Sequence, residues 1–234
     1  MPIKRPPLVN DEIYHVVLRG VGDSLIFKDI DDYYRGIFSL FEFNTSKPVE
    51  IRTRRRKRKI QKLKGEQFSD ERDKLVEVLQ FCFMPNHIHL LLKQIKDTGI
   101  TDFMRKFGAG FATYFNKRYQ RKGHLFQARF YAVHIKNEQQ LKTVFVYIHA
   151  NPISLVEENW KEGGIENPKK VIKFLDEYKW SSYLDYLGKS NFSSVTERDF
   201  LSEIMGGTKE CKRFVDDWVQ HKKNLKYWRE VGIE

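Results

Sequence analysis

An α+β sandwich on an antiparallel sheet is the fold this 234-residue sequence predicts. Three observations predict it. Strand-like and helix-like segments are interspersed along the chain rather than gathered into blocks. Two neighbouring strand-like segments meet at Pro85-Asn86, a tight connection between paired strands. The composition, 41% hydrophobic and 14% aromatic, supports a sizeable core.

"EIYHVVLRG" (Glu12–Gly20) is β-rich and ends in glycine, so it reads as a strand, and "GDSLIFKD" as a loop with a short extended piece. "DIDDYYRGIFSLFEFN" (Asp29–Asn44) opens with aspartates and repeats apolar residues at helical spacing. "DKLVEVLQFCFMPN" (Asp73–Asn86) and "HIHLLLKQI" (His87–Ile95) are the second and third strands. Thr98–Arg121 reads as a helix with Thr101 as its cap, because Phe103, Phe107, Phe111, Tyr114 and Phe115 recur on one side. "GHLFQARFYAVHIK" (Gly123–Lys136) is the fourth strand, and Asn137–Asn151 a helix stopped by Pro152. This order is that of a ferredoxin-like sandwich. Residues 1–156 are expected to form it, with a basic insertion at about 50–70. Residues 157–234 are expected to form a helical C-terminal appendage: "ENWKEGGIENPKK" looks like a loop, while "TERDFLSEIMG" and "CKRFVDDWVQHKKNLKYW" read as helices.

Lys and Arg number 42 against 31 Asp and Glu, a net charge of +11. Such a field attracts polyanions, nucleic acid first among them. No run of about 18 apolar residues exists, so no membrane span is expected. "MPIKRPPLVNDEIYHVV" has no signal-peptide apolar block, and Cys82 and Cys211 match no ligand spacing, so a reduced, cytoplasmic location is expected. Arg52–Lys64 holds nine basic residues and no acidic one. It reads as a solvated loop or a phosphate-binding arm, with Arg54, Arg55, Arg56, Lys57 and Arg58 at its centre. "FGAGFATYFNKRYQRKGHLFQARF" interleaves aromatic and basic residues, as surfaces that stack bases and neutralise phosphates do. Its phenylalanines suit a core, whereas Arg118, Arg121, Lys122, His124 and Arg129 suit single-stranded nucleic acid.

"FCFMPNHIHLLLK" carries the chemistry. Residues i and i+2 of a strand share a face, so His87 and His89 project together as a pair of metal ligands or of packed core histidines. Cys82 lacks a CxxC partner for a zinc site. In "VYIHANP", Tyr147 and Asn151 are four residues apart and share a helix face, so a phenol and an amide oxygen can meet the histidines together. Tyr114, Tyr119 and Tyr131 are rival phenols among 11 tyrosines.

Taken together, "FCFMPNHIHLLLK", "YFNKRYQRKGHLFQARFYAVHI", "VYIHANPI" and "YKWSSY" resemble the HUH-type single-tyrosine transposases, in particular the REP-associated tyrosine transposase branch. "YHVVLRGVGDSLIF" is similar to that branch's first strand and loop, so the resemblance runs from about Glu12 to Gly188. It implies a ferredoxin-like core and the cutting and joining of single-stranded DNA near hairpins. It implies that His87 and His89 hold a divalent metal, that Tyr147 is the nucleophile, and that Asn151 is the third ligand. Three features depart from the family pattern. The third ligand there is often Gln or His, the first loop often reads Arg-Gly-Asn where this chain has Arg19-Gly20-Val21, and Arg52–Lys64 has no evident counterpart.

A metal held by two imidazoles and an amide would neutralise a scissile phosphate, and the oxygen ligand favours Mg2+ or Mn2+. A tyrosine would conserve the phosphodiester bond energy as a covalent 5′-phosphotyrosine. The expected partner is single-stranded DNA with hairpin structure, bound by a monomer or a homodimer and without a membrane. Two other classes compete: a non-catalytic nucleic-acid-binding module, which leaves His-x-His unexplained, and a metal-dependent nuclease without a covalent step.

Overall fold

The computed structural model of the chain describes residues 6–63, 70–127, 129–158, 160–220 and 222. Four strands form one sheet: β1 (Ile13–Arg19), β2 (Val76–Met84), β3 (His87–Gln94) and β4 (Tyr131–Ile135). Their order across the sheet is β2-β3-β1-β4, and every neighbouring pair is antiparallel. Helices α1 (Ile30–Phe43) and α3 (Gly99–Arg118) connect β1 to β2 and β3 to β4. That connectivity is the ferredoxin-like sandwich expected from the element order.

Strand alternation gives the sheet two apolar faces. Tyr14, Val16, Leu18, Ile88, Leu90 and Leu92 face one layer, where α1 and the phenylalanines Phe103, Phe107, Phe111 and Phe115 of α3 cover them. Leu91, Cys82, Met84 and Ile135 face the other, against Val144, Phe145 and Ile148 of α4 (Glu138–Ala150). Asn137 caps α4, its side chain accepting from Gln140 N at 2.9 Å, and Pro152 converts the chain into a 3₁₀ turn over Asn151–Leu155.

Beyond that turn lie α5 (Trp160–Gly163), α6 (Pro168–Leu175), α7 (Tyr183–Tyr186), α8 (Asp199–Met205) and α9 (Thr208–Gln220). They share the core of α4 through Val171, Leu175, Leu201, Val215 and Val219. The segment before α7 also closes the open edge of β2. Phe83 N donates to Trp180 O at 2.9 Å and Ser182 N to Phe81 O at 3.0 Å. No helix among the described residues is long and apolar enough to cross a membrane.

Several sequence-based boundaries need correction. The basic stretch is a helix, α2 (Ile51–Leu63), since Arg and Lys are good helix formers. Lys64 lies outside the described residues. Helix α3 starts at Gly99, with Thr98 rather than Thr101 at its cap position, because a side chain at Gly99 would meet Leu75 O at 2.3 Å and only glycine lets the two backbones approach. Strand β4 is five residues long; Gly123–Gln127 is irregular and bonds instead to the end of β1, through Val21 N to Leu125 O at 3.0 Å and Gln127 N to Arg19 O at 2.9 Å, and Ala128 lies outside the described residues. "ENWKEGGIENPKK" contains α5 and the start of α6, where Asn167 caps and Pro168 takes the first position. The last predicted helix ends at Gln220, and Lys223–Trp228 lie outside the described residues.

Candidate active site

Strand pairing builds the site. Val17 of β1 pairs with His89 and Arg19 with His87, so His15, Val17 and Arg19 share the face that carries both histidines. Helix α4 lies on that face. Its Tyr147 ring stands edge-on to His89, with centroids 5.5 Å apart, and to His15, at 5.7 Å. The His87 and His89 rings are 4.8 Å apart and nearly perpendicular. Asn151, one turn beyond Tyr147, is buried beside the His87 ring and pulls its protonation upward. The four residues singled out from spacing are thus brought together.

Hydrogen bonds orient the imidazoles. His87 Nδ1 lies 2.6 Å from Asn86 Oδ1, an acceptor, which leaves Nε2 as the atom able to ligate. His89 Nδ1 lies 2.9 Å from Nε2 of His15. Burial pushes His15 down to about 3. Burial, then the Arg19 charge, pushes His87 down to about 4, against a smaller upward pull from Asn151. Burial and the neighbouring His87 and His15 hold His89 well below the ordinary range. All three rings are therefore neutral at pH 7, the form that donates a lone pair. His89 Nε2 and Asn151 Nδ2 are buried and have no hydrogen-bond partner among the described residues. Two imidazole nitrogens and an amide beside them suit a divalent cation with an imidazole-and-oxygen donor set. Among the described residues no three His, Cys, Asp or Glu side chains form a metal cluster, and Asn151 is the side-chain oxygen donor that the sequence places with the two histidines. Cys82 sits across from His89 on β2, but burial pushes its thiol up and keeps it protonated.

Two residues of the site were missed from sequence. His15 sits on the right face, but only the β1–β3 register reveals that. Lys161 belongs to a stretch read as loop; its Nζ lies 5.9 Å from the Tyr147 ring centre, and its charge reaches His87 and His89. His149 turns away from the site, with Nε2 3.0 Å from Ser182 Oγ.

The other predicted contacts are dispersed. Arg118 bonds Asp29 at 2.7 Å, Asp31 at 3.3 Å, Asp32 at 3.4 Å and the Tyr114 hydroxyl at 2.5 Å. Its guanidinium ties the end of α3 to the start of α1. Tyr114 and Tyr119 also donate to Asp32, across the helical layer from the histidines. Tyr131 alone of the rival phenols shares the histidine face, through its pairing with Val17. Arg121 contacts Asn116 Oδ1 at 3.3 Å, and Lys122 is exposed. His124 and Arg129 line a groove of about 920 Å³ along α3, with Gly123, Leu125, Phe126 and Gln127. In α2, Arg54 binds Glu42 at 3.0 Å, Lys57 binds Glu71 at 2.5 Å, and Arg56 is exposed. The side chains of Arg55 and Arg58 lie outside the described residues.

The chain is thus a ferredoxin-like domain with a His-x-His pair facing a helix-borne tyrosine. Residues 49–151 match the family described as "Transposase IS200 like". That segment, which runs from α2 through the 3₁₀ turn's first residue and includes both histidines, Tyr147 and Asn151, is similar to that transposase family, in keeping with the resemblance read from the motifs. No curated protein matches the chain. The solved structure of a REP-associated tyrosine transposase bound to a REP hairpin is similar at 12% identity and a TM-score of 0.46, over 85% of this chain and 93% of that one. A bacterial tRNA(His) guanylyltransferase-like protein in complex with ATP follows at 14% identity and a TM-score of 0.39, over 77% of each chain. Likenesses this distant add nothing to the topology read directly from the sheet.

Proposed function

We propose that the chain cleaves and rejoins single-stranded DNA at hairpin-associated sites through a covalent 5′-phosphotyrosine on Tyr147. The observation that carries this is the contact of the Tyr147 ring with His89 while Asn151, one turn on along the same helix face, is buried beside His87. One helix face thereby holds a nucleophile and an oxygen donor against two neutral imidazoles.

His87, His89 and Asn151 are the residues that would hold a divalent cation, Mg2+ or Mn2+, which when bound would supply positive charge to a phosphate's non-bridging oxygens. Tyr147 Oη attacks the phosphorus and gives up its proton. The P–O3′ bond breaks, and the departing 3′ oxygen takes a proton to become a hydroxyl. Attack by a 3′-hydroxyl reverses these steps, returning the phenol and a joined strand. Lys161 sets a cation on the phenol's side of the site, where the negative charge of the attacked phosphate gathers. The excess of basic residues supports a polyanionic partner.

The test uses labelled hairpin oligonucleotides with manganese on denaturing gels. Wild type is expected to give a covalent band, and a tryptic peptide containing Tyr147 to carry a 5′-linked nucleotide. Tyr147→Phe should bind DNA as wild type does and give neither cleavage nor adduct. Cleavage by the Phe variant would reassign the reaction to water or to Tyr131.

A further inference from the structure

We infer that His15 is a positioning residue for His89: it fixes the tautomer that turns the His89 Nε2 lone pair toward the proposed cation. This rests on the cation reading above. The two rings are almost coplanar, 11° apart, with Nε2 of His15 2.9 Å from Nδ1 of His89. Both are buried and neutral, so a single hydrogen between the two nitrogens makes the bond. If His15 donates, His89 carries its own hydrogen on Nε2 and cannot ligate. If His89 donates from Nδ1, its Nε2 is a bare lone pair, and His15 carries its hydrogen on Nδ1.

The far ends of the pair favour a purpose beyond packing. His89 Nε2 and His15 Nδ1 are both buried with no partner among the described residues. A core built for stability alone would fill this place with apolar side chains and leave no polar atom bare. A ligand on Nε2 uses the first of those atoms. The second, His15 Nδ1, is the hydrogen-bearing nitrogen that His89's donation leaves behind. Tyr147 stands edge-on to both rings, so the same pair also fixes the wall against which the phenol rests. A ligating imidazole whose other nitrogen bonds an outer acceptor is a common device, and loss of that acceptor typically weakens metal binding about 10- to 100-fold.

Two measurements test it. Nitrogen-15 spectra of the metal-free protein report which nitrogen of His89 is protonated; protonation at Nδ1 is expected. Calorimetric titration with manganese compares wild type with His15→Phe, which keeps a ring and loses the acceptor, and with His15→Gln, whose amide oxygen replaces it. The Phe variant should bind about 10- to 100-fold more weakly, and the Gln variant should recover most of that loss. Wild-type His89 protonated at Nε2 overturns the inference, whether or not either variant folds. Equal manganese affinity in all three proteins, or equal loss in both variants, overturns it as well. A wild type that binds no manganese refutes the cation reading instead, and the spectrum still decides the tautomer.

Discussion

At the scale of single residues, the site is neutral histidines with two cations nearby, Arg19 and Lys161. Lys161 lies 5.9 Å from the Tyr147 ring centre and is among the charges that disfavour protonation of His87 and His89. Its proposed part is electrostatic, so Lys161→Gln should slow adduct formation on the order of tenfold, less than the loss of an enclosed oxyanion donor. Manganese affinity should stay within about twofold, because no ligand is removed. Lys161→Arg keeps the charge and should keep most of the rate. Single-turnover gels with saturating DNA separate this from weakened binding: an unchanged rate in the Gln variant removes Lys161 from the site. His15 and Lys161 illustrate what sequence hides. The His-x-His pair needs only strand periodicity to be read, whereas His15 needs the register of β1 against β3, and Lys161 needs the path of the chain after Pro152.

At the scale of elements, two basic segments that look alike in sequence have different work. Arg118 faces Asp29, Asp31 and Asp32 at the first turn of α1, where the acidic side chains also suit the helix dipole. Removing it leaves the fully buried Asp32 carboxylate with fewer partners. Arg118→Ala should therefore lower stability by about 1–3 kcal/mol and leave the salt dependence of DNA binding unchanged. In α2, Arg56 and Lys59 are exposed. Replacing both with Gln should barely affect stability and should reduce the slope of log K against log salt by about 0.7 for each phosphate no longer neutralised. Urea midpoints and anisotropy titrations across salt read both quantities. A slope altered by Arg118→Ala but not by the α2 pair would invert this division. Both assignments depend on contacts between α1 and its distant partners. Local periodicity marked α1, α3 and α4 well because their apolar faces are written at intervals of three and four. It failed at Gly123–Gln127, a stretch that reads as strand but bonds the end of β1 through Leu125 and Gln127 instead.

At the scale of the whole molecule, the buried histidines link folding to pH. His87 lies at about 4 and His15 at about 3, and His89 and His149 lie well below 6.5, each mainly through burial. All four return to about 6.5 when the chain unfolds. A depressed folded value means that the unfolded chain binds more protons between the two values, so stability rises with pH there. Their contribution is whole above about 6.5 and is lost as pH falls toward 4 and then 3. His87 alone accounts for up to about 2 kcal/mol between pH 6.5 and 5, at about 1.4 kcal/mol per pKa unit. Asp70, held down to about 2 by Arg72, joins only below the ordinary carboxylate range. The urea midpoint of the metal-free protein should therefore drop between pH 7 and 5, before any carboxylate titrates. A flat midpoint over that interval would mean that the rings are protonated in the fold and the site is not the neutral one described. Manganese sharpens the measurement. A cation on His87 and His89 competes only with protons bound in the fold, so it should raise the midpoint by similar amounts at pH 7.5 and pH 5.5 and lose its effect as pH falls through about 4. A rise already lost at pH 5.5 would put manganese somewhere other than on these imidazoles.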